Sequence, residues 1–94
     1  ELCRKLHEAM PTVPLVMHGA SGAVDEDVKQ VIQLGITKIN IATYLQKKAA
    51  LAVKAMFEKN PDAIGFRDLA KPQLQAVRDG VRGKIELFGT ANRA

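Results

Sequence analysis

Two short stretches of this 94-residue sequence hold the side chains best suited to chemistry. The first is His18-Gly19-Ala20-Ser21-Gly22, an imidazole followed at once by small residues. An uncrowded imidazole can ligate a metal or act as a general base. It can equally hydrogen-bond a neighbouring backbone group, and position alone leaves those readings level. One histidine makes no metal centre, because zinc takes at least three protein ligands and the others must come from elsewhere. Gly19, Ser21 and Gly22 add backbone N–H groups and a hydroxyl just ahead of an expected helix. The second stretch is Lys38-Ile39-Asn40-Ile41-Ala42-Thr43, where Ala42 and Thr43 repeat that arrangement. Converging N–H groups, hydroxyls and helix N-termini are what a phosphate pocket requires. A lone glycine loop is a weak signal, since tight turns use glycine anyway. The pair of loops carries the inference.

Lys38 supports a rival chemistry. Strand alternation gives it the parity of Asn40 and points it to the inner face of a sheet. A desolvated lysine there could form a Schiff base. The plainer reading is an interior lysine that pairs with a carboxylate or reaches to the strand end. His7 and Cys3 fall on the first helix, where exposure or packing explains them better than catalysis. Arg67 and Arg93 are candidates for a second phosphate, with nothing to single out either.

The elements that must position these groups read as follows. Glu1–Met10 is a helix with Leu2, Leu6 and Ala9 on one stripe. It opens on Glu1 without a cap, so the chain is expected to be a piece of a longer one, cut inside an element. Pro11-Thr12 ends that helix. Val13–Met17 is a nearly continuous apolar run, which suits a strand buried on both faces. Asp25 is the expected N-cap of a second helix with Val28, Val31 and Ile32 inward, stopped by Gly35. Ile36–Ile41 is the second strand, and both His18 and Asn40 fall at strand carboxyl ends, where α/β folds bind ligands. A long helix follows Ala42-Thr43 and ends at Asn60-Pro61, with Leu45, Ala49, Ala52, Val53, Met56 and Phe57 as its stripe. Residues 62–68 read as a loop. The last helix is expected to start with Pro72 at its first position and to close at Gly89. Within it Gly80 and Gly83 each cost about 1 kcal/mol relative to Ala, which close packing would explain.

Strands that alternate with helices imply right-handed βαβ units and a parallel sheet. Two such strands leave both edges open and therefore want neighbours. Composition narrows the class further. Fourteen basic against ten acidic residues give +4, but the cations are scattered, aromatics make up 4% and there is no Trp, so nucleic acid is not the expected partner. A phosphorylated small molecule suits the same charge. No apolar run nears the roughly eighteen residues needed to cross a bilayer. One cysteine forms no internal disulfide, which fits a reducing compartment.

Taken together, Pro14-Leu15-Val16-Met17-His18-Gly19-Ala20-Ser21-Gly22 and Lys38-Ile39-Asn40-Ile41-Ala42-Thr43 resemble the class II, metal-dependent ketose-bisphosphate aldolases. That family includes the fructose- and tagatose-1,6-bisphosphate enzymes. The tail Gly83–Ala94 resembles the carboxyl terminus of bacterial members, so the similarity covers almost the whole chain. The resemblance implies an α/β fold, the C-terminal part of a (β/α)8 TIM barrel. Residues 1–94 would be one C-terminal segment of that domain: strands seven and eight, their helices and a C-terminal helix. It makes His18 one ligand of a catalytic Zn2+. It assigns Gly19, Ala20 and Ser21 to a first phosphate loop, and Asn40, Ile41, Ala42 and Thr43 to a second, with Asn40 also meeting the dihydroxyacetone phosphate moiety. The proton-transfer aspartate and the other zinc ligands would lie upstream, so no catalytic residue is expected here and the segment alone should be inactive.

The implied reaction is aldol cleavage of a ketose 1,6-bisphosphate to dihydroxyacetone phosphate and glyceraldehyde 3-phosphate. Fructose 1,6-bisphosphate is the first substrate expected, and tagatose bisphosphate or another ketose phosphate the alternative. A cytoplasmic homo-oligomer, dimer or tetramer, follows from the same resemblance, with no nucleic acid or membrane as partner. Three positions depart from common family patterns. Ala20 stands where many members have Gly, Ala42 where some have Asp (a tagatose-type feature), and Tyr44 where an acidic residue is common. The competing readings are a Schiff-base aldolase through Lys38, indifferent to chelators, and an inactive fragment whose open strand edges promote association.

Overall fold

A computed structural model describes residues 1–93; Ala94, the last residue of the expected tail, lies outside the described residues. The order is α1 (Leu2–Ala9), β1 (Leu15–Met17), a 3-10 turn (Ala20–Gly22), α2 (Asp25–Gln33), β2 (Ile36–Ile39), α3 (Thr43–Lys59) and α4 (Phe66–Phe88). Pro11 follows α1, and Asn60-Pro61 follows α3, where a residue without an N–H cannot continue the ladder. Gly35, at φ +103°, takes the left-handed position just after α2, as its place in the sequence predicts.

β1 and β2 pair in parallel, with Leu15 opposite Ile36, Val16 opposite Lys38 and Met17 opposite Ile39. β2 thus carries one extra residue, Thr37, whose hydroxyl donates to the Leu15 carbonyl at 3.3 Å. The Asn40 N–H donates to the Met17 carbonyl at 3.0 Å and extends the pairing to the strand ends. Within residues 1–93 Val16 and Lys38 are exposed, whereas Leu15, Met17 and Ile39 are half-buried. One sheet face lies against helices, and among the described residues nothing covers the other.

Three further boundaries differ from the sequence reading. Val24, in extended conformation, occupies the cap position of α2, and Asp25 is its first helical residue. β2 ends at Ile39 rather than Ile41. The largest difference is α4, which begins at Phe66 and contains Pro72 instead of starting there. Gly65 sets its first turn: the Asp68 and Leu69 N–H groups donate to the Gly65 carbonyl at 3.0 and 3.3 Å. Asp68 then meets the positive end of the helix dipole.

The packing divides in two. The carboxyl-terminal half of α4 sits over β2, where Val81, Ile85 and Phe88 share a cavity with Ile39, Ile41 and Leu45. Among the described residues, Val28 of α2, 1% exposed, is the one large side chain fully buried. α3 and α4 form an antiparallel hairpin whose tip runs on beyond the sheet; at 1.5 Å per residue, α3 is about 25 Å long. Its tip residues Ile64 and Phe66 are 93% and 86% exposed. The radius of gyration is 17.4 Å, against about 12 Å for a compact domain of this length. No helix of the described residues is long and apolar enough to cross a membrane.

Candidate functional site

β1 ends one residue before His18 and β2 one residue before Asn40, so parallel pairing sets these two side chains beside each other. The Asn40 carboxamide nitrogen lies 3.4 Å from His18 Nδ1 and 3.3 Å from Nε2. The carboxamide thus lies against the imidazole, nearly equidistant from its two nitrogens. Lys38 Nζ in turn donates to Asn40 Oδ1, which fixes the carboxamide with its nitrogen toward the ring. Lys38 therefore reaches to the strand end, as the plainer sequence reading holds. It pairs with a carboxamide, not a carboxylate.

Past the strands the backbone turns sharply. Gly19 sits at φ +74°, a conformation that costs a residue with a Cβ about 1–2 kcal/mol. The 3-10 turn follows, and Ser21 Oγ accepts the Tyr44 N–H at 3.2 Å. This caps one of the first amides of α3, which have no acceptor within their own helix. It also ties the first loop to the second and leaves the Ser21 hydroxyl hydrogen free to donate.

His18, Gly19 and Ser21 from one loop and Asn40, Ile41, Ala42 and Thr43 from the other line a single open cavity of about 480 Å³. These are all the residues expected there except Ala20, which is 3% exposed and lies beneath the loop as a packing residue. The two adjoining helices differ in what their positive ends meet. The first turn of α2 holds Asp25, Glu26 and Asp27, which already satisfy its dipole. The first turn of α3 holds no acidic residue, so its positive end, beside Thr43, remains for an external anion.

Among the described residues no group of three or more His, Cys, Asp or Glu side chains could hold a metal ion. His18 fits as one ligand of a set completed by other residues. Arg67 lies at the start of α4, and Arg93 lines a cavity with Ile36 and Thr37 at the opposite end of β2. Neither joins the strand-end cavity. Cys3 Sγ lies 4.0 and 3.9 Å from the Val31 and Leu34 carbonyls, and His7 packs on Gly35, so both serve the α1–α2 contact.

The sequence reading missed two contributors. Tyr44 supplies the N–H that holds Ser21, and its ring carries Lys84 Nζ at 4.7 Å and Lys48 Nζ at 5.4 Å from the centroid. The spacing of Tyr44 and Lys48, four apart on a helix, is a signal for the second contact. Nothing local signals Lys84, forty positions downstream of Tyr44.

The family model described as fructose-bisphosphate aldolase class-II matches residues 1–93. Among solved structures, the chain is similar to one described as the X-ray crystal structure of the YdjI aldolase from Escherichia coli K12, at 42% identity and a TM-score of 0.86. The match covers 99% of this chain and 34% of that one, so the chain spans about a third of that protein's length.

Proposed function

The chain belongs to the class II fructose-bisphosphate aldolase family, and on that premise we propose that its strand-end cavity holds the phosphorylated end of a ketose bisphosphate during metal-dependent aldol cleavage. The observation that carries the reading is the convergence of both loops on one cavity beside the unsatisfied positive end of α3. β1 and β2 are read as strands seven and eight of a (β/α)8 barrel, with the open face bearing Val16 and Lys38 turned to its interior. The barrel's carboxyl-end site would then coincide with this cavity.

The chain's own residues act as follows. Backbone N–H groups at Gly19 and Ser21, the Ser21 and Thr43 hydroxyls and the α3 dipole bind phosphate. Asn40, oriented by Lys38 and lying beside His18, meets the dihydroxyacetone phosphate moiety. His18 would be one ligand of Zn2+. When bound, zinc supplies Lewis-acid stabilisation of the charge that develops as the carbon–carbon bond breaks. The aspartate that moves the proton and the other ligands belong to upstream sequence, so residues 1–94 alone are expected to be inactive. Fructose 1,6-bisphosphate is the proposed substrate. Ala42 supports tagatose 1,6-bisphosphate as the alternative. The single cysteine fits the cytoplasm, and the exposed apolar hairpin supports a homo-oligomer, dimer or tetramer.

The test is cleavage of both sugar bisphosphates by the full-length protein, with chelator and with zinc restored. Activity on either substrate that disappears with chelator and returns with zinc is the expected result. Chelator-resistant cleavage trapped by borohydride would transfer the chemistry to a lysine and end the metal reading.

A further inference from the structure

Lys84 touches the elements behind both phosphate loops. It projects from α4, and its side chain is 16% exposed. Its ammonium lies 3.4 Å from Asp25 Oδ1, at the first residue of α2, and 4.7 Å above the ring of Tyr44, in the first turn of α3. α2 is the helix that follows the His18–Gly22 loop, and α3 the helix that follows Asn40–Ala42. Tyr44 closes the circuit, because its N–H is held by Ser21 Oγ across the cavity mouth. One turn earlier on α4, Gly80 brings the helix close enough that an added Cβ would stand 3.0 Å from Leu45 and Lys48 and 3.4 Å from Tyr44. The absence of a side chain at position 80 thus lets α4 press on the start of α3 and present Lys84 to the tyrosine.

We propose that Lys84 is a positioning residue for the phosphate site: by bridging Asp25 and the face of Tyr44 it sets the spacing between the two loops that grip the anion. This rests on the phosphate-binding reading above and deepens it. It also gives Tyr44 a role. Its ring holds the lysine through a cation–π contact.

The test measures kcat and KM for the ketose bisphosphate, and calorimetric binding of inorganic phosphate, on the full-length protein. Lys84→Met should raise both KM and the phosphate Kd about tenfold with kcat within about twofold, because it removes a cation–π contact and a partly buried ion pair together. Lys84→Arg, which keeps both contacts, should restore both to within about twofold. Asp25→Asn separates bracing from a long-range field, because the two predict opposite signs. Loss of a negative charge near an anion site strengthens binding by field alone, whereas a loosened brace weakens it, here by about two- to threefold. Lys29→Met, an exposed lysine on α2 paired only with Glu26, controls for charge and should leave KM unchanged.

An unchanged KM in Lys84→Met, a lowered KM in Asp25→Asn, or a matching rise in Lys29→Met overturns the proposal. If Lys84→Met does not fold, the sign of the Asp25→Asn change, read against the Lys29→Met control, decides it. A wild type that binds phosphate but cleaves no ketose bisphosphate refutes the aldolase reading, and the phosphate Kd values then judge the brace by themselves. A wild type that binds no phosphate refutes the brace.

Discussion

The strand-end loops and the helical hairpin are built on opposite plans. In the loops, small residues and backbone angles do the placing: Gly19 turns at positive φ, Ala20 is buried, and polar groups are left facing a cavity. In the hairpin, side chains do the placing. Gly80 is buried against Leu45, Lys48 and Tyr44, and apolar groups such as Ile64, Phe66 and Leu74 are left facing solvent. The first region exposes donors that want an anion, and the second exposes apolar surface that wants a protein. A substitution in the loops should therefore change chemistry more than stability, and one in the hairpin the reverse.

The sharpest test of that contrast is His18→Ala. If His18 ligates zinc as proposed, its loss should lower kcat/KM of the full-length protein by about 10³-fold, the equivalent of several kcal/mol of Lewis-acid assistance. His18 is exposed, so the thermal midpoint of the metal-free protein should hardly move. Zinc content per chain, measured on the purified variant, checks the cause. A variant that keeps both its zinc and its activity would break the comparison at its centre.

In the hairpin, Gly80→Val should do the opposite. The branched side chain would enter space already within 3.0 Å of Leu45 and Lys48, an overpacking cost of about 1–3 kcal/mol. A lowered denaturation midpoint is expected, with KM raised in step if α4 holds the start of α3 as argued. A normal midpoint would mean that the two helices separate freely, and the case for α4 as a positioning element would weaken.

Ser21→Ala lies on the border between the two plans. It removes a hydroxyl from the cavity and also the acceptor for the Tyr44 N–H. Loss of such a cap costs about 0.5–2 kcal/mol. KM for the bisphosphate should rise about tenfold, and stability should fall by no more than the cap is worth. A rise in KM without any stability loss would assign Ser21 to phosphate alone.

What the sequence made legible follows the same division. His18, Gly19, Ser21, Asn40 and Thr43 could be placed because a strand end, a glycine and a helix start are local signals separated by few residues. Their meeting in one cavity needed only parallel pairing, which the βαβ order supplies. The start of α4 was not legible in the same way. Pro72 is a strong local marker for a first turn, and it was overridden by Gly65, Asp68 and the packing of α4 along α3. Lys84 was invisible for a related reason: its partners Asp25 and Tyr44 are far off in sequence and meet it only through tertiary packing. The exposed faces of Val16 and Lys38 also ran against pattern. Strand composition reports the environment of a whole sheet, and only two strands of it lie in this chain.

Gly83 gives the smallest effect and the cleanest control for Gly80. Both lie on α4, and both carry the same intrinsic penalty of about 1 kcal/mol relative to Ala. The sequence offers one explanation for both, close packing, but only Gly80 has neighbours. An added Cβ at Gly83 meets nothing within 4 Å, and its backbone is already helical. Gly83→Ala should accordingly raise stability by about 1 kcal/mol, read as a higher denaturant midpoint at unchanged slope, with kcat and KM as in the wild type. A loss of stability would place something against that face of α4 beyond residues 1–93. Position 83 would then be a contact made by another part of the full-length protein or by another copy of the chain, and the open face of α4 would have found its cover.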